Sequence, residues 1–223
     1  FRTLAGDYAS LPWVFMGARY LSQEHLAICM RALSEEGILG TVPKYSDPVI
    51  GTESHSQITL AEAYRLSEKE EEVIQKYSQG SVGLAATIRA TIAFAKANPD
   101  VLVYVLGDYV CRTIGCADTF IATIKACQEL GIKVEGGRVD ISKADLNDEP
   151  IMDADCAKKF DITSSLINLI SGTTPLVMSI IREKLDRAGY GNFKLIASSG
   201  VKLNKIAEFI SAGTDIVGIG EDA

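Results

Sequence analysis

The residues best suited to chemistry fall just after apolar runs. Arg138 and Asp140 are two apart in "GGRVDIS", so on a strand both side chains point the same way. A guanidinium beside a carboxylate suits a polar ring substituent and a ribose or metal, respectively; a structural ion pair at a strand end is the plainer reading. Asp108 follows the continuous run "VLVYVL". It is placed to meet Mg2+ or a substrate hydroxyl, or simply to cap the next segment. "ASSG" and "VGIG" bring Ser199, Gly200, Gly218 and Gly220 to the ends of two further runs. There, backbone N–H groups can cradle a phosphate, although any one of these glycines alone reads equally well as a turn. His55, in "VIGTESHSQIT", is one of only two histidines and sits among small polar residues, open either to chemistry or to a local hydrogen bond. The other, His25, lies mid-helix beside Glu24 and reads as structural or surface.

The elements that must carry these residues alternate. Helical periodicity is expected from about residue 22 to 36, from Leu60 to Gln79 in a strongly charged segment that reads as a solvated face, and from Gly80 to Ala97. The apolar run Val101 to Leu106 is the kind of strand buried on both faces. A helix ending at Gly131, a strand with two central glycines over "IKVEGGRVDIS" and an acidic loop from Asn147 to Cys156 follow. Next come a helix with Pro175 near its start, the strand "FKLIAS", a helix over "SGVKLNKIAEFISAG" and the strand "DIVGIG". Strand, helix and strand in repetition mean parallel strands with right-handed crossovers, hence an open doubly wound sheet or an α/β barrel. Ligands of both folds bind at the carboxyl ends of the strands, where the residues above fall.

The 223 residues, 47% of them hydrophobic, suffice for one main domain with a substantial core. Five cysteines without a CxxC pair point to a reducing compartment and away from structural zinc, and the cytoplasm is the expected location. No membrane-length apolar run or signal-peptide pattern is visible, so no membrane partner is expected. The net charge of −7, offset by no basic stripe, argues against a general nucleic-acid binder, and any anionic ligand must be held by a few local cations and N–H groups.

Taken in order, "MGARYLSQEHLA", "LGT", "IGTESHSQIT", "VLVYVLGDYV", "GGRVDIS", "IASSGVKLNKIAEF" and "VGIG" resemble the catalytic barrel of the nicotinate and nicotinamide phosphoribosyltransferases. The resemblance runs from about Met16 to the end of the chain and is poor over residues 60 to 98. It implies a single parallel (β/α) barrel-like catalytic domain over residues 1 to 223, without the family's N-terminal domain. The implied reaction is phosphoribosyl transfer from phosphoribosyl pyrophosphate to nicotinate in NAD salvage, with Mg2+, with ATP as co-substrate and within a homodimer. It also implies roles. His55 would be the phosphorylated histidine, since a neutral imidazole is a competent phosphoryl acceptor. Arg19 would lie near the pyridine and phosphates. Arg138 and Asp140 would contact the base and ribose, and Asp108 or Asp140 would work with Mg2+. Ser199, Gly200, Gly218 and Gly220 would hold the 5′-phosphate. Met16, Tyr20 and Val42 depart from the family pattern, and "RVDIS" lacks its glycine. Val42 falls where the family distinguishes its bases, which leaves a nicotinamide-specific enzyme, or a non-catalytic binder of phosphorylated ligands, as alternatives.

Overall fold

A computed structural model describes residues 49–52, 55–110, 113–143, 154–161 and 171–218. The chain divides into two compact units, Phe1–Val49 and Ile50–Ala223, and the described residues belong almost wholly to the second. That unit is a mixed α/β structure. Strand β1 (Val49–Thr52) leads into α1 (His55–Thr59), then α2 (Glu68–Ser78), α3 (Val82–Ala97) and β2 (Val101–Leu106). Helix α4 (Cys116–Glu129), β3 (Gly136–Val139), α5 (Ala154–Lys159), α6 (Pro175–Arg187), β4 (Lys194–Ala197), α7 (Ile206–Ser211) and β5 (Ile216–Val217) complete the order. The strands form one sheet in chain order, and β2, β3, β4 and β5 pair in parallel. Among the described residues no helix is long and apolar enough to cross a membrane.

The charged segment 60–79 is not one helix. A short 3-10 turn at Ala61–Ala63 stops at Tyr64, and α2 starts afresh at Glu68. Ser67 and Glu70 form a reciprocal capping box, with the Ser67 N–H donating to Glu70 Oε2 at 2.7 Å. This box offers the backbone a better start than continuation from Leu60. Nor is α2 merely a solvated face, because it buries Val73 and Ile74 against Leu84, Ile88 and Ile92 of α3 and Ala126 and Cys127 of α4.

The main core lies on one face of the sheet. Val105, Val139, Leu195 and Ala197 meet Phe120 and Ile124 of α4 and Val177, Met178 and Ile181 of α6, all buried. The paired glycines of β3 follow from this packing. A Cβ on Gly137 would stand 2.4 Å from the Phe120 ring, and one on Gly136 would stand 2.3 Å from the Tyr104 ring on the opposite face. Each glycine therefore lets an aromatic ring lie flat on the sheet. Tyr104 is enclosed so far that burial, helped by the charges of Glu135 and Asp215, pushes its phenol up to about 12.

Candidate functional site

The strand register lines up the candidate residues. Leu106 is level with Arg138, Arg138 with Ile196, and Ile196 with Ile216. Two residues further along each strand, just beyond the last pairs, come Asp108, Asp140, Ser198 and Gly218. Hydrogen bonds carry the ladder to this edge, with the N–H groups of Gly107, Ser198 and Gly218 donating to Arg138, Val139 and Ala197 at 3.0, 2.9 and 2.7 Å. The row sits at the carboxyl ends of the parallel strands, where such sheets hold ligands.

At one end of the row His55 Nε2 lies 2.7 Å from Asp108 Oδ2. A carboxylate only accepts, so Nε2 carries the proton, and the lone pair of the neutral ring is on Nδ1. The imidazole side chain is 42% exposed, while that of Asp108 is 6% exposed. The hydrogen bond to Asp108 raises the His55 pKa above its ordinary value; burial opposes this, the negative charges of Asp108 and Asp140 add to it, and Arg138 subtracts. The Tyr109 ring flanks the histidine at 6.5 Å between centroids. Asp108 Oδ1 is buried with no hydrogen-bond partner among the described residues. Leaving such an acceptor unpaired costs about 1–3 kcal/mol.

In the middle of the row, Arg138 donates from Nε to Ser198 Oγ at 3.0 Å and from Nη2 to Asp140 Oδ2. Ser198 Oγ in turn donates toward Asp140 Oδ1 at 2.9 Å and the Val139 carbonyl at 3.1 Å. Both Asp140 oxygens are therefore in use. Arg138 keeps Nη1 without an acceptor among the described residues. The structural ion pair expected as the plainer reading is present, and the guanidinium keeps one nitrogen outside it.

Past β4 the chain turns through Ser199 at φ +75° and Gly200 at φ +68°. A serine in this left-handed region costs roughly 1 kcal/mol. Neither residue's N–H donates to an acceptor among the described residues, so the turn presents two open donors. Gly218 behaves otherwise. Its N–H is spent on Ala197, and a Cβ there would stand 3.2 Å from the Ser198 Cβ, so it contributes room rather than a phosphate hydrogen bond.

The structure thus brings His55, Asp108, Arg138, Asp140, Ser199, Gly200 and Gly218 to one edge. Arg19 and Gly220 lie outside the described residues, as do Met16, Tyr20, His25, Val42 and the expected helix from 22 to 36. Sequence reasoning missed the His55–Asp108 pair and the part of Ser198, which joins Arg138 to Asp140. The signal for Ser198 was present: it directly follows the apolar run Leu195-Ile196-Ala197, at the same kind of strand end as Asp108. No protein-family model, curated protein or solved structure matches this chain.

Proposed function

We propose that this edge binds phosphoribosyl pyrophosphate and transfers its phosphoribosyl group to nicotinate, giving nicotinate mononucleotide and pyrophosphate. The observation that carries the reading is the His55–Asp108 pair, which leaves Nδ1 of the ring open beside a row of phosphate- and sugar-binding groups. In the transfer, the pyridine nitrogen uses its lone pair to bond the ribose C1, and the bond to pyrophosphate breaks with its electrons leaving on oxygen. The carboxylates of Asp108 and Asp140 face the positive charge that develops on the ribose. The spare Nη1 of Arg138 orients the carboxylate of nicotinate, while the Ser199 and Gly200 N–H groups hold the 5′-phosphate. The Nδ1 lone pair of His55 bonds the γ-phosphorus of ATP as the bond to the β–γ bridging oxygen breaks and ADP leaves with its electrons. Asp108 steadies the positive charge that the ring, still protonated at Nε2, then carries.

A magnesium ion fits this edge as a passenger of the phosphates. Both Asp140 oxygens accept hydrogen bonds, whereas Asp108 Oδ1, buried but unpaired among the described residues, would serve as one ligand among oxygens from substrate and water once the site opens to them. Bound there, Mg2+ would neutralise charge on the departing pyrophosphate. The order β1-β2-β3-β4-β5 supports a barrel, because sequential parallel strands joined by right-handed crossovers keep their helices on one face. On this reading the working unit is a cytoplasmic homodimer.

The test is product formation from phosphoribosyl pyrophosphate with nicotinate or nicotinamide, each with and without ATP and Mg2+. Nicotinate mononucleotide, with ATP stimulation lost in His55→Ala, is the expected result. Nicotinamide mononucleotide alone would reassign the base. Phosphoribosyl pyrophosphate bound without either product would leave a binding protein and overturn the transfer.

A further inference from the structure

Most surface lysines are solvated point charges on mobile stems. Lys143, three residues beyond Asp140, is held differently. Its carbonyl accepts from Ser171 Oγ at 2.7 Å. Just upstream, the Ile141 N–H donates to Thr173 Oγ1 at 3.0 Å, and the Thr173 N–H returns to the Ile141 carbonyl at 3.2 Å. Gly172, at φ +76°, packs so closely that a Cβ on it would stand 3.1 Å from the Lys143 Cα. From this fixed base the side chain runs to the β4 turn, where a Cβ on Gly200 would stand 2.9 Å from its Cε and 3.4 Å from its Nζ.

The ammonium group therefore lies beside Gly200, in the turn that carries the two open N–H donors of Ser199 and Gly200. It meets no carboxylate among the described residues, whereas Arg138, the cation within the row, is tied to Asp140. This matters for an anion. Backbone N–H groups supply direction but no net charge, and Asp108 and Asp140 on the same edge repel a phosphate. An uncommitted cation at the turn offsets that repulsion at the place where the donors converge.

Building on the proposed phosphoribosyl reading, we infer that Lys143 is the side-chain contact for the 5′-phosphate of the sugar phosphate, acting with the Ser199 and Gly200 N–H groups. Gly200, at φ +68°, suits a backbone conformation that side chains rarely adopt, and the Lys143 stem takes the space a Cβ would fill. The binding follows the phosphate ester and not the ribose.

Calorimetric titration of the full chain with ribose 5-phosphate, and with ribose as the control, tests this in the parent, Lys143→Gln and Lys143→Arg at low and high salt. A charge-assisted bond lost in Lys143→Gln weakens ribose 5-phosphate binding about ten- to a hundredfold and flattens its salt dependence. Lys143→Arg keeps the charge and stays within about threefold of the parent. Unchanged thermal midpoints show that the exposed substitution leaves the fold intact. Parental affinity in Lys143→Gln, or no ribose 5-phosphate binding by the parent, overturns the assignment. Transfer assayed alongside separates the two ideas. A parent that makes mononucleotide with the same KM as Lys143→Gln removes Lys143 alone. A parent that binds ribose 5-phosphate through Lys143 but makes no mononucleotide keeps Lys143 and removes the transfer reading.

Discussion

In the flank built from α2, α3 and α4, Glu70 meets Lys96, Glu71 meets Arg89, and Glu129 accepts from both Lys76 and Tyr77. At the strand ends, Asp108 meets His55 with one oxygen and no described residue with the other, and the Ser199 and Gly200 N–H groups find no acceptor among the described residues. Both regions are rich in charge and both pair it internally, His55 with Asp108 and Arg138 with Asp140 at the strand ends. There, however, some polar groups also stay without a partner among the described residues. The flank's pairs close over an apolar cluster of Val73, Ile74, Leu84 and Ile88, so they add to a contact that burial already favours. The strand-end row instead keeps a buried acceptor, Asp108 Oδ1, with no partner among the described residues, which costs stability rather than adding to it. The difference separates charges paired over an apolar cluster from strand-end groups that the described residues leave unpaired.

The substitution with the largest expected effect acts on the core that makes such costs tolerable. Phe120 is fully buried and lies over Gly107 and Gly137, the residues flanking Asp108 and Arg138 in the chain. Phe120→Ala should cost about 3–5 kcal/mol in denaturant unfolding. It should also weaken ribose 5-phosphate binding, because β2 and β3 lose the ring that sets their spacing. A loss below about 1 kcal/mol would show that the ring is not what clamps these strands.

Lys96→Met sharpens the comparison from the other side. The Glu70 side chain is 11% exposed but that of Lys96 is 51% exposed, so solvent screens the pair, and Glu70 keeps its bonds to Ser67. The expected loss is about 1 kcal/mol. Ribose 5-phosphate binding should not move. If it did, the flank and the strand ends would not be the separate devices described above.

How far these regions were legible in the sequence follows from what each depends on. "VLVYVL" and the Pro175-led helix were readable because β-branched runs and N-terminal prolines act locally. The break at Ser67 was hidden because the charged periodicity runs through it, and only the serine–glutamate spacing of the capping box marked it. Arg138 and Asp140 were readable from alternation alone. The pairing of His55 with Asp108, 53 residues away, was not, because it depends on where α1 leaves β1 beside β2, a tertiary fact. The spent N–H of Gly218 belongs to the same class: glycine spacing suggested an open donor, and sheet register consumed it.

The smallest effect tests the pair itself, through pH. His55 gains a partner on folding, so its folded pKa lies above the ordinary 6.5. The stabilisation this brings is fully present below about 6.5, where the ring is charged in both states, and is lost as pH rises through the raised folded value. With the ring 42% exposed, screening leaves on the order of 0.5 kcal/mol. Subtracting the unfolding free energy of Asp108→Asn from that of the parent between pH 5 and 9 removes the background of other titrating groups and should expose this falling step. Proton NMR of the two histidines should show one pKa dropping in Asp108→Asn, since the largest cause of its elevation is gone. A step that rises with pH instead would mean that burial outweighs Asp108 and that His55 is held neutral. The ring would then meet a phosphoryl donor as an uncharged nucleophile throughout the neutral range. In the arrangement described here, by contrast, lowering pH protonates Nδ1 and removes the very lone pair on which the proposed ATP coupling depends, so that the coupling fades toward acid while the pair grows stronger.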